Sequence, residues 1–149
     1  MEGLGWTIDR TAGLVTVRGM GVFDLPFAMS FQEMVRAGGM VRYCKLFDLR
    51  LADIRLSNDD LQAMVASTRL FSATTAGPIA VVVGRNPPPL LVDMAVLLKN
   101  RIGRRRRLHL FIDEAEARQW LASEEALARL SRELSRRPHL GVASFARVS

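Results

Sequence analysis

Few side chains in this sequence are equipped for covalent or metal chemistry. There are two histidines and one cysteine among 149 residues. His109 stands between Leu108 and Leu110 in an apolar run, the setting of a packed sheet residue rather than of a base with a positioned partner. His139 follows Pro138 close to the end of the sequence. A lone cysteine, Cys44, excludes an intrachain disulfide and a cysteine-based zinc site, and its apolar neighbours predict a buried, inert thiol. The glycine-rich dinucleotide and phosphate loops, the serine nucleophile elbow and the paired-histidine zinc motif are all absent from the sequence. The chain therefore reads as a non-enzyme with no cofactor.

Charged and polar residues capable of recognition fall in two places. The first follows the apolar runs: Asp48, Arg50, Asp53 and Ser57 after one, Arg85 and Asn86 after another, Asp113 after a third. These could hold a small anion or a partner's loop, or could serve only as helix caps and solvated loop charges. The second is a basic patch, Arg101, Arg104, Arg105, Arg106 and Arg107. It accounts for most of the formal net charge of +6, because residues 1–75 carry 8 basic and 8 acidic groups. Cations there complement a helix C-terminus, and four adjacent arginines exceed that need. An acidic protein, an anionic lipid surface or a nucleic-acid backbone would each suit them. The lack of interleaved aromatics argues against nucleic acid.

The elements that must position these residues follow from periodicity. Trp6–Asp9 and Leu14–Gly19 alternate apolar and polar residues around a turn ending in Gly13, which predicts an antiparallel hairpin. Asp24 is a good N-cap with Pro26 in the first turn, and Phe27, Phe31, Met34 and Val35 form a helical stripe stopped by Gly38 and Gly39. Met29 and Met40 fit the core beside it. Tyr43–Leu49, broken only by Lys45, predicts a central strand. Ser57, with Asp60 three residues on, caps a second helix whose inward stripe is Leu61, Met64, Val65, Thr68 and Phe71 or Ser72.

Gly77-Pro78 ends that stretch, and Ile79–Val83 is a charge-free, β-branched buried strand. A third stripe, Leu91, Met94, Ala95, Leu98 and Ile102, follows three consecutive prolines. Leu108–Ile112 predicts the last strand, and Asp113 caps a helix with Glu116 at the capping-box position and Ala117, Trp120 and Leu121 inward. Ser123 marks a restart into a further helix through Leu127, Leu130 and Leu134, ended by Pro138. The tail from His139 is a late strand or a free end.

Strand–helix alternation predicts one α/β domain over residues 1–149: a single mixed, mostly parallel sheet with an N-terminal antiparallel hairpin and flanking helices. No internal repeat or linker interrupts it. The N-terminus has no signal-peptide pattern, and no apolar run approaches the roughly 18 residues of a membrane span, so a reducing cytoplasm is expected.

This pattern resembles the STAS-type domains, in the bacterial branch similar to the sporulation anti-sigma-factor antagonist and grouped with CRAL-TRIO-like proteins. The resemblance rests on Trp6, Gly13-Leu14-Val15, Gly19, Lys45 to Arg50, Gly77 to Val83, Phe111, Asp113 to Ala117 and Trp120-Leu121. It covers about residues 6–121, leaving a C-terminal helix and tail over 122–149. It implies a non-catalytic protein-interaction or regulatory module with a protein partner or a second copy of itself. True antagonists carry a phosphorylatable serine after the Asp-ending central strand. Here Leu49, Arg50 and Leu51 follow Asp48, so the serine run is missing, and Ser57 is the nearest candidate. The CRAL-TRIO side implies a small apolar or anionic ligand, which Met64, Phe71, Met94 and Leu98 would line.

Overall fold

The structure is a computed structural model that describes residues 3–69, 77–87, 89, 92–93, 96 and 108–135. The hairpin forms as the alternation requires: β1 (Gly5–Asp9) pairs antiparallel with β2 (Leu14–Arg18), Trp6 opposite Val17 and Ile8 opposite Val15. β3 (Val22–Asp24) leads into α1 (Leu25–Ala37). The Asp24 carboxylate accepts the Phe27 N–H at 2.9 Å, Pro26 sits in the first turn, and the Gly38 N–H donates to the Met34 carbonyl at 2.9 Å. Both predicted ends of this helix are therefore where their residue types put them.

β4 (Cys44–Asp48) and β5 (Asp53–Arg55) precede α2 (Asn58–Arg69). β6 (Ile79–Val82) and β7 (Leu108–Phe111) are followed by α3 (Glu114–Ser135). Between β6 and β7, residues 89, 92, 93 and 96 are helical. The main sheet runs β1-β2-β4-β6-β7, with every pair after the hairpin parallel. The mixed, mostly parallel α/β sheet expected from the sequence is thus present.

Side-chain parity divides the core between the two faces. Cys44, Leu46, Ala80 and Val82 face Ala117 and Leu121 of α3. Val15 and Val17 face Phe31 and Val35 of α1, while Ile79 and Val81 pack with Leu61 and Met64 of α2. Edge-to-face rings lock α1 down: Trp6 lies 5.5 Å from Phe27 and 5.8 Å from Phe31, and Phe31 lies 5.0 Å from Phe47. Lys45 is 1% exposed, its ammonium donating to the Val41 carbonyl. Gly77 has a steric reason: a Cβ there would stand 2.1 Å from the Tyr43 carbonyl oxygen and 2.5 Å from that of Arg42. The turn entering β6 is pressed onto the turn entering β4.

Two expectations need correcting. The segment holding Asp53 is not all loop: β5 pairs in parallel with β3, forming a second, two-stranded sheet. Three-residue strands are too short to show a period, which is why they are illegible in sequence. Helix formation does not restart at Ser123, because α3 continues unbroken to Ser135. Serine tolerates a helix interior when flanked by strong helix formers such as Ala and Leu, so the local cap signal loses to the run around it. Trp120 faces inward as expected: half-buried, it packs against the α3 side of the core, with His109 at 4.8 Å and Phe111 at 5.6 Å on the edge strand.

Candidate functional site

Because β2, β4, β6 and β7 are parallel, their carboxyl ends share one end of the sheet. Arg18 closes β2, Asp48 closes β4 with Arg50 two residues on, and Glu114 opens α3 just after β7. The Arg50 guanidinium holds Asp48 through two bonds, Nε to Oδ1 at 2.8 Å and a terminal nitrogen to Oδ2 at 2.7 Å. Arg18 donates to Glu114 Oε2 at 3.0 Å, and Arg118, one turn further along α3, donates to the same oxygen at 2.7 Å. Arg50 stands 3.8 Å from the other oxygen of Glu114. Three guanidiniums from three elements thus share two carboxylates.

The electrostatics follow from this geometry. The Arg50 hydrogen bond holds the Asp48 carboxyl below its ordinary pKa, against the opposing effect of burial. The Arg118 hydrogen bond, and then that of Arg18, do the same for Glu114. Asp48 in turn raises Arg50 above the usual guanidinium value. The loop after β6 comes alongside: Gly84 has φ +78°, and a Cβ on it would lie 3.7 Å from the Arg50 side chain. Arg85 and Asn86 follow it on the surface.

The fold brings together only part of the predicted set. Asp48 and Arg50 meet, and the Arg85–Asn86 loop is adjacent. Asp53 pairs instead with Arg55 at 2.8 Å on β5. Ser57 is a cap: its hydroxyl accepts the Asp60 N–H at 3.1 Å, while Asp60 accepts the Ser57 N–H at 2.9 Å. Asp113 also caps, accepting the Glu116 N–H at 2.9 Å. Arg101 and Arg104 to Arg107 lie outside the described residues, as do Phe71, Met94 and Leu98. Sequence reasoning missed Arg18, Glu114 and Arg118. Arg18 did break an otherwise apolar strand end, and Glu114 and Arg118 stand at helical i, i+4 spacing, but nothing local joins them.

Three exposed apolar side chains stand on the same loops. Met20 is 58% exposed two residues after β2, Leu51 68% three residues after β4, and Ile112 56% immediately after β7. Each of these loops carries or adjoins a member of the ionic network.

At the opposite end of the sheet, a groove of about 300 Å³ opens between α3 and the amino ends of β2 and β4. Ala12, Leu14, Cys44, Leu121 and Ala122 line it, with Arg118, Glu125 and Arg129 among its charged residues. Cys44 is buried, its sulfur 4.0 Å from both the Leu121 carbonyl and the Glu125 carboxylate. Among the described residues no cluster of His, Cys, Asp and Glu could hold a metal ion, and no helix is long and apolar enough to cross a membrane.

No protein-family model matches the chain, and no curated protein matches it. A solved structure does share its architecture: an uncharacterized protein of the DUF3478 family from Shewanella loihica PV-4, described as having a SpoIIAA-like fold. The two are 14% identical, the match covers 81% of this chain and 95% of that one, and the TM-score is 0.52. At that identity the likeness concerns architecture alone, and it establishes that this chain has a SpoIIAA-like, STAS-like fold.

Proposed function

We propose that the chain is a non-catalytic interaction module that regulates a cytoplasmic protein partner, binding it with the carboxyl end of its sheet. One observation carries this reading. The loops after β2, β4 and β7 each expose one large apolar residue, Met20, Leu51 or Ile112, beside a charge of the Arg18–Asp48–Arg50–Glu114–Arg118 network. Apolar anchors beside arginines within a polar rim are the usual make-up of a protein interface. The serine run of the phospho-regulated antagonists has no counterpart after Asp48, so this reading includes no phospho-switch at that position.

The test is affinity capture from an extract of the source organism with the wild type, Arg50→Glu and Leu51→Asp. A partner retained by the wild type and lost from both folded variants supports the reading. Equal capture by all three rejects it. The groove beside Cys44 favours a second reading, a carrier of a small apolar or anionic molecule, since its volume is at the lower limit of small-molecule pockets. Native mass spectrometry decides that one: added mass that leaves on denaturation supports a carrier, and a bare chain counts against it.

A further inference from the structure

β1 is an edge strand of the main sheet, with β2 on one side. Among the described residues no strand pairs with its other side. Thr7, Ile8 and Asp9 are exposed, whereas no other strand of the main sheet exposes more than one residue. The flanking chain turns away from this edge. Leu4 packs into the core, and a Cβ on Gly19 or Gly21 would meet the backbone of Gly3 or Leu4 at 2.3 or 2.7 Å. On the other flank, the Ala12 N–H donates to the Asp9 carboxylate at 2.9 Å in the turn that returns to β2. Edge strands are normally blunted by lysine, proline or a bulge. β1 has none of these: its register with β2 is unbroken over five pairs, and Asp9, at its end, is its one charge.

The strand is complementary to itself. An antiparallel mate centred on Thr7 is the register that pairs all five residues with all five: Gly5 with Asp9, Trp6 with Ile8, and Thr7 with its own copy. The smallest residue then faces the one charge, so no like charges meet. Trp6 and Ile8 stand opposite Val17 and Val15 of β2, which puts both on the face toward α1. Ile8, 39% exposed, is the one large apolar residue that a strand of the main sheet leaves exposed. In this register the half-buried Trp6 of the mate lies directly across from it. Aromatic residues facing β-branched ones, and paired threonines, are among the stabilising cross-strand pairs. A parallel mate in register would set Asp9 beside Asp9, like charge against like.

We propose that β1 is a homodimer interface, pairing antiparallel with β1 of a second copy about a two-fold axis at Thr7, so that two five-stranded sheets join into one of ten. The axis stands normal to the sheet. Both copies of α1 therefore lie on the same face, and the carboxyl ends of the parallel strands point in opposite directions. The proposal does not rest on the partner-binding reading, and the failure of either leaves the other standing.

The experiment is sedimentation velocity of the full chain at micromolar concentration, with Thr7→Lys, Thr7→Asp and an equimolar mixture of the two. The wild type is expected at twice the 16.6 kDa chain mass. Each variant alone sets two like charges face to face across the axis and is expected at the monomer mass, with unchanged circular dichroism because Thr7 is exposed. The mixture should return to the dimer mass, since lysine then faces aspartate. Thr7→Cys, directly opposite its own mate and within disulfide reach, should cross-link into a covalent dimer under mild oxidation, and Asp59→Cys on α2 should not. A monomeric wild type overturns the proposal. So does a dimer that survives both charged variants, or a mixture that stays monomeric, because residue 7 is then not at the axis. If a charged variant unfolds, Thr7→Cys decides alone, and its failure to cross-link overturns the proposal.

Discussion

At the residue scale, Glu114 is the hub: Arg18 and Arg118 donate to the same oxygen, and Arg50 stands near the other. These are exposed or half-exposed groups, so each contact is worth little alone and is screened by salt. Glu114→Gln should cost about 1 kcal/mol or less, measured by urea unfolding, and the difference should shrink in high salt. The sign of the pH effect follows from the depressed carboxyls of Asp48 and Glu114. A lowered folded pKa contributes stability that is complete above the unfolded value of about 4 and lost as pH falls through the lower folded value. The unfolding curves of wild type and Asp48→Asn/Glu114→Gln should therefore differ near neutrality and converge in acid.

At the scale of elements, capping and close approach are separable. Ser57 and Asp60 exchange two hydrogen bonds at the start of α2, so Ser57→Ala should destabilise by about 1 kcal/mol. Gly77 is different in kind, because an added methyl meets two backbone carbonyls that cannot rotate away. Gly77→Ala should cost about 1–3 kcal/mol, the range for overpacking. Gly5→Ala, with nothing within 4 Å of its Cβ, is the control and should stay within about 0.5 kcal/mol. Denaturant midpoints of the three variants check the order.

At the scale of the whole molecule, the buried core and the proposed recognition surface are separate. Leu46 is 0% exposed between β4 and α3, so Leu46→Ala should cost about 2–5 kcal/mol through the cavity it leaves. Leu51 and Met20 are exposed at the carboxyl end of the sheet, so Leu51→Ser and Met20→Ser should change stability by about 0.5 kcal/mol or less. If the proposed interface is real, these two should weaken partner capture while leaving thermal unfolding unmoved.

Local signals in the sequence were enough for the helix starts at Asp24, Ser57 and Asp113, the hairpin around Gly13, the buried strand at Ile79 and the strand at Leu108. Each depends on contacts spanning a few residues, or on a period that repeats within one element. The sheet order, the β3–β5 pair and the burial of Lys45 depend on residues distant in the chain, and tertiary structure alone decided them. The candidate site shows the same division. Asp48 and Arg50 are two residues apart and were legible. Arg18 and Glu114 are 96 residues apart and meet only because parallel strands bring their carboxyl ends to one side. The leucines after Ser123 were legible as a helical stripe, but that Leu127, Leu130 and Leu134 stay exposed was not. A periodic pattern says which face is apolar, and only the assembled fold says whether anything lies beneath it.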